Sequence, residues 1–289
     1  APGHLDEVAV FQTRQLSKPP ALVGDTYPLV GPQQALLYYA VVFDEVAEPM
    51  ELLLRLRTDS SHSLFVQALR WDAASAQSAR HQGLAIGYLV FTLLAIVWAG
   101  FTWLQYRNVV AGLFAVHQTT ALAVVLTQMG LLRAVWPAQL QPVLSDLTSL
   151  MLPLNTWGTL LFHRAALSSL GVGRTGQRLL TVLMAVALLM IGAIALGAVR
   201  MGLLLTHVTI LSGLILCTLV ACTARVPSDL TSRAAFWRRA YLVAVYALMA
   251  AAMVPHSLRV MGLISPGSWN YGGYLAYSVA SALLLGSLL

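Results

Sequence analysis

The hydrophobic pattern changes character once along the chain. Up to residue 82 apolar and polar positions interleave at short range. Beyond it long apolar runs succeed one another, broken only by short polar stretches. Runs of roughly 20 apolar residues match a hydrocarbon core about 30 Å thick, in which a helix satisfies its own backbone hydrogen bonds. Seven such runs predict helices over about 84–105, 109–132, 143–163, 178–198, 201–223, 240–262 and 271–289. The expected fold class is therefore a membrane all-α seven-helix bundle, residues 83–289, behind a small extracytoplasmic β-rich head and connector, residues 1–82.

Within the head, residues 1–34 read as loop, punctuated by Lys18-Pro19-Pro20, Gly24-Asp25 and Gly31-Pro32. Three strand-like runs follow, Ala35–Asp44, Met50–Asp59 and Ser63–Asp72, rich in Val, Leu, Tyr and Phe. Leu54-Arg55-Leu56-Arg57 alternates at period two, which wets one sheet face and buries the other. Val8–Thr13 is a possible fourth strand. A head of this size has a marginal core, so it is expected to be part of a β-sandwich or to lean on the membrane domain. Ala73–Arg80 is helical in propensity and leads into the first span.

Charge orients the bundle. Residues 1–83 carry nine acids and six bases, whereas the rest carries two acids, Asp146 and Asp229, eleven arginines and no lysine. Arg107, Arg164, Arg174, Arg178, Arg225, Arg233, Arg238 and Arg239 fall in loops on one side; Arg133, Arg200 and Arg259 fall on the other. By the positive-inside rule, the head lies in the periplasm and the C-terminus in the cytoplasm of a bacterial inner membrane. The sequence pI near 9.6 then reflects arginines at a lipid face and implies no nucleic-acid partner. Trp136, Trp269, Tyr271 and Tyr274 are expected at the outer interface, with Trp103, Tyr106, Phe236 and Trp237 at the inner one. Ala1-Pro2-Gly3 suits either a processed end or an engineered boundary. Leu289 closes an apolar helix with no anchoring charge, so a further cytoplasmic portion is expected.

Polar groups inside spans are costly and point to function or to interhelical hydrogen bonding. Asp146, Ser149, Pro153 and Trp157 share one helical face, and Pro153 removes the hydrogen bond to the Ser149 carbonyl. Asp146, His207 and His256 are expected at similar outer depth. They and Arg133, Arg200 and Arg259 are the candidate ligand-binding residues of an outer mouth, with Pro153 and Pro255 as hinges. Three such side chains could hold a metal, but no local ligand spacing supports it; no metal, cofactor or catalytic residue is assigned. His117 and Gln128 share a face suited to interhelical bonding, and Ala193-x-x-x-Gly197 reads as a close-packing site. Cys217 and Cys222 lie on different faces of one helix and cannot pair.

Absences narrow the field. A retinal Schiff base needs a lysine, and none follows Lys18. The third span ends Phe162-His163-Arg164 and the seventh has no proline, unlike eukaryotic seven-helix receptors. No inverted repeat of transporter type is apparent.

Several segments resemble one bacterial family, the seven-transmembrane receptors with diverse intracellular signalling modules. Leu52-Leu53-Leu54-Arg55-Leu56-Arg57-Thr58-Asp59-Ser60-Ser61 resembles the closing strand of that family's jelly-roll sensor. Ala73 to Tyr88, with Arg80, His81, Gly83 and Gly87, resembles its entry into the first span. Gln128-Met129-Gly130 with Trp136-Pro137 resembles the end of its second span, and Phe162-His163-Arg164 through Arg178 its loop between spans three and four. The resemblance covers about residues 50–289. A jelly roll has about eight strands, and the head here offers only three or four, so no ligand pocket carries over. The family relays extracytoplasmic signals to a cytoplasmic cyclase, kinase or phosphatase module, whose signatures are missing from this chain.

The expectation is thus a sensory receptor module in the lipid bilayer, non-enzymatic in itself and a homodimer, reading an extracytoplasmic ligand or protein. Its rivals are a metal-dependent intramembrane hydrolase using Asp146, His207 and His256, a non-catalytic membrane partner protein and, more weakly, a small-molecule transporter.

Overall fold

The computed structural model describes residues 7–13, 19–24, 27, 41–43, 50–57, 66–128, 132, 141–223, 232–261, 263 and 270–289. A three-stranded antiparallel sheet forms the head, with order β2-β1-β3. The strands are β1 (Glu7–Gln12), β2 (Ala21–Val23) and β3 (Leu52–Arg57). Val8 pairs with Val23 on one side and Leu56 on the other, and Val10 with Ala21 and Leu54. Buried Val8, Val10 and Val23 pack with Val41, Phe43, Leu54 and Leu56. Along β3 the two arginines are exposed and the two leucines between and before them half-buried, as the alternation predicts. The reverse face carries an ion pair, Arg55 Nη2 to Glu7 Oε1 at 2.9 Å, and Tyr27 donates to Glu7 Oε2 at 2.9 Å.

Val8–Thr13 is thus the central strand, and Met50–Asp59 contains an edge strand. Two other readings change. Ala21–Val23, read as loop, is a strand, because its three residues pair antiparallel with β1 and bury Val23 against Val8. In the run Ser63–Asp72, residues 66–70 have no regular structure, and Trp71 and Asp72 already belong to a helix. The described residues of Ala35–Asp44, namely 41–43, are not in a strand.

Among the described residues seven helices follow: α1 (Trp71–Tyr106), α2 (Val109–Gln128), α3 (Gln141–Ser169), α4 (Arg174–Ala195), α5 (Val199–Ala221), α6 (Ser232–Val260) and α7 (Asn270–Gly286). Every predicted span has its helix. Five are long and apolar enough to cross a membrane: α1, α2, α4, α5 and α6; in α7 the apolar helix is the shorter Gly273–Gly286. At 1.5 Å per residue the 36-residue α1 is about 54 Å long, well beyond a hydrocarbon core, so the Ala73–Arg80 connector is continuous with the span.

Consecutive helices pack side by side, α1 also meets α7, and α3 contacts α2, α4 and α5. That makes α3 the central element. From Leu152 to Leu170 it is buried or half-buried at nearly every position, and its polar content keeps it below the hydropathy of a lipid-facing span. The two-residue turn from α1 to α2 is tightly made. Arg107 adopts a left-handed conformation (φ 53°) and closes α1 on the Trp103 carbonyl, while Asn108 Oδ1 accepts from the amides of Val110 and Ala111. This side-chain cap satisfies two of the four orphan amides of α2. Between α4 and α5, Gly197 (φ +90°) makes the turn with open space around it. Ala193-x-x-x-Gly197 is therefore a turn and no close-packing site. Close approach occurs instead at Gly273, where a Cβ would sit 2.7 Å from the Ala252 carbonyl oxygen, and at Gly213 against Leu160.

A buried histidine–tyrosine core

Many hydroxyls in the bundle are occupied on their own helices. Thr102, Thr156, Thr206, Thr209 and Thr218 each donate to the carbonyl four residues earlier, at 2.7–3.0 Å, the usual resolution for threonine in a helix. What remains is a smaller set of polar side chains that bond between helices, and these converge on the bundle axis.

The inner group centres on α3. Thr159 donates its single proton to the Asn155 carbonyl at 2.7 Å and lies 3.0 Å from His117 Nδ1 of α2. With the hydroxyl proton spent, His117 Nδ1 is the donor in that contact. The neutral ring therefore turns an unprotonated Nε2 inward, and that atom has no partner among the described residues. One turn along α3, His163 Nε2 bonds the Tyr277 hydroxyl of α7 at 2.9 Å. The Tyr246 ring of α6 packs edge-on against His163 at 5.4 Å, and neither its hydroxyl nor His163 Nδ1 has a partner among the described residues. His117 lies 5.9 Å from the Tyr277 ring and stacks on Phe162 at 5.8 Å. All four histidine and tyrosine rings are at most 6 % exposed. Toward the other end, Ser278 reaches Gln118 Oε1 at 3.4 Å, and Thr120 reaches Asn155 Oδ1 at 3.0 Å.

The second group lies at the end where α1 begins. His256 Nε2 bonds the Tyr274 hydroxyl at 2.9 Å, and the His207 ring stands edge-on to His256 at 5.8 Å. Tyr274 also meets Tyr88 of α1, 6.3 Å between ring centres. The two groups share α7, on which Tyr274, Tyr277, Ser278 and Ser281 form one buried face. Ten residues of α6 separate His256 from Tyr246, about 15 Å of axial rise. A polar column thus runs through about half the thickness of a hydrocarbon core.

Of the outer-mouth candidates, the structure unites His207 and His256. Asp146 and Arg200 are exposed. Arg133 lies outside the described residues; Arg259 is in α6, its side chain outside them, as is that of Gln128. Among the described residues no three His, Cys, Asp or Glu side chains gather as a metal site. Pro153 and Pro255 lie inside α3 and α6. Tyr274, expected at the outer interface, is buried against His256 instead, whereas Trp103, Tyr106, Phe236 and Trp237 are exposed. Asp146, Ser149, Pro153 and Trp157 all lie on the continuous α3, with Asp146 exposed, Ser149 and Pro153 buried and Trp157 half-buried.

Sequence reasoning passed over Tyr246, Tyr277 and the partnership of His163. A signal existed: Asn155, Thr159 and His163 recur every fourth residue, and Tyr274, Tyr277, Ser278 and Ser281 have helical spacing. Comparison of the chain with protein-family models, with curated proteins and with solved structures returns no match.

Proposed function

We propose that the chain is the sensing and transmitting part of a membrane receptor, with the head outside, all seven helices crossing and the α5–α6 end in the cytoplasm. The observation that supports this reading is the surplus hydrogen-bonding capacity of the core. A buried polar group left unmade costs about 1–3 kcal/mol, so orphaned groups beside one another favour rearrangement. Tyr277 now bonds His163; beside it stands the unprotonated Nε2 of His117. His163 in turn has Tyr246 as an alternative donor. The second arrangement pairs Tyr277 with His117 and Tyr246 with His163, at the expense of present packing. Two discrete pairings in a packed core are a bistable element.

The outer mouth biases it through α7. Ligand or partner contact at Asp146, Arg133, Arg200, His207, His256 or Arg259 moves Tyr274, and a rigid α7 carries that movement one turn to Tyr277. Pro153 and Pro255 let α3 and α6 bend. To swing the bundle from 1:99 to 99:1 the ligand must favour one state by about 5.5 kcal/mol. A homodimer would bring two cytoplasmic modules together, as in the family that the sequence resembles. No metal, cofactor or nucleic acid enters this reading.

Cys222 supplies the test: it is exposed at the far end of α5, whereas Cys217 is buried. A fluorine probe on Cys222 of the protein in lipid nanodiscs should give two resonances. Tyr246→Phe should enrich the one that represents the structure described here, and Tyr277→Phe the other. A single resonance indifferent to both substitutions would refute the two-state core.

A further inference from the structure

Where α3 hands over to α4, positive charge collects with no carboxylate beside it among the described residues of α3 to α5. Arg164, Arg174, Gln177, Arg178, Thr181 and Val182 line an open cleft of about 510 Å³. Residues 141–223 are all described, and their only carboxylate is Asp146, eighteen residues before Arg164 on α3 and so about 27 Å away along the axis. The Arg164 Nε and the Gln177 amide nitrogen are buried and have no hydrogen-bond partner among the described residues.

The local helix sharpens the problem. Gly173 precedes α4 without a side-chain cap, and no acidic residue occupies the first turn. The amides there have no partner within α4, and the helix dipole puts positive potential where anions are stabilising and cations are not. The sequence nevertheless places Arg174 in that turn and Arg178 one turn on. Each is unfavourable for α4 alone. They become favourable together if an anion sits among them, because guanidinium groups bind phosphate through paired, charge-assisted hydrogen bonds.

The rest of the lining says which anion. Beyond the arginines the cleft runs along α4 onto Thr181 and exposed Val182. The exposed side chains of Leu179, Leu188 and Leu189 continue that side of the chain, and α4 is the least buried of the apolar helices. A charged end that opens onto an apolar helix flank fits an amphiphile. We infer that this cleft binds the phosphate of an anionic phospholipid, with an acyl chain along α4. The inference stands apart from the receptor reading and asks only that the α3–α4 end lie at a membrane surface.

Native mass spectrometry of the full chain in neutral detergent tests it, with phosphatidylglycerol, phosphatidylcholine and water-soluble glycerol phosphate as probes. Phosphatidylglycerol should bind as a discrete adduct, and Arg174→Gln, at an exposed side chain, should weaken it several-fold. Arg164→Gln, Arg174→Gln and Arg178→Gln together should weaken it at least ~10-fold, while Arg238→Gln with Arg239→Gln leaves it unchanged. Circular dichroism checks that each variant is folded. Equal loss in the Arg238/Arg239 control, or unchanged binding in folded Arg174→Gln, would overturn the site. Glycerol phosphate binding as tightly as phosphatidylglycerol would overturn the lipid as its occupant.

Discussion

A methyl group on Gly273 would stand 2.7 Å from the Ala252 carbonyl oxygen, so one hydrogen atom's worth of space sets the approach of α6 to α7. Backbone cannot give way as a side-chain tip can. Gly273→Ala should therefore cost about 1–3 kcal/mol through overpacking, seen as a lower thermal unfolding midpoint in detergent. It should also disturb the core, since His256–Tyr274 bridges this same seam. At the head, Tyr27 and then Arg55 hold the Glu7 carboxyl below its ordinary value of 4.5. A group depressed on folding stabilises fully above its unfolded value and loses that contribution as pH falls through the folded one. Hydrogen exchange at the β1–β3 amides, taken relative to its intrinsic rate at each pH, should accordingly quicken on acidification below pH 4.5 in the parent. In Glu7→Gln it should be faster at neutral pH and lack that acid step.

At the scale of elements, what could be read ahead was whatever depends on local period. Each long apolar run announced its helix, because burying a backbone in lipid leaves no other open structure. Arg55 and Arg57 flank Leu56 at period two, and β3 formed as that alternation implies. Ala21–Val23 gave no such signal, since three residues cannot establish a period and only pairing with β1 makes them a strand. Asn108 went unread in the sequence, and its role as the cap of α2 comes from the structure. Asn108→Ala should destabilise α2 by about 1 kcal/mol, measurable as faster exchange at Val110 and Ala111 with little change elsewhere. The core site was half legible. His117 showed itself as a polar residue in a span, but Tyr277 and Tyr246 read as ordinary aromatics. Their importance comes from helices distant in sequence, His163 and Tyr277 being 114 residues apart, and no local pattern encodes that meeting. The central place of α3 was hidden for the same reason: it rests on contacts with α2, α4 and α5, whereas the spacing of Asp146, Ser149, Pro153 and Trp157 gives only a shared face.

For the whole molecule, the arrangement reconciles two facts of composition. The bundle carries few charges, yet its centre is polar, with α3 supplying much of the centre and the more apolar helices facing outward. Apart from Asp146 and Asp229 the charges that remain are arginines, and their uneven distribution along the sequence between the two sides predicts the orientation on which the receptor reading depends. The most direct measurement is side-specific thiol labelling with a membrane-impermeant maleimide, using Cys222 and an exposed head position, Arg57→Cys. In right-side-out spheroplasts the head cysteine should react and Cys222 should not; in inverted vesicles the pattern should reverse. Labelling of both thiols from the same face would contradict a chain that carries a signal from one side of the membrane to the other.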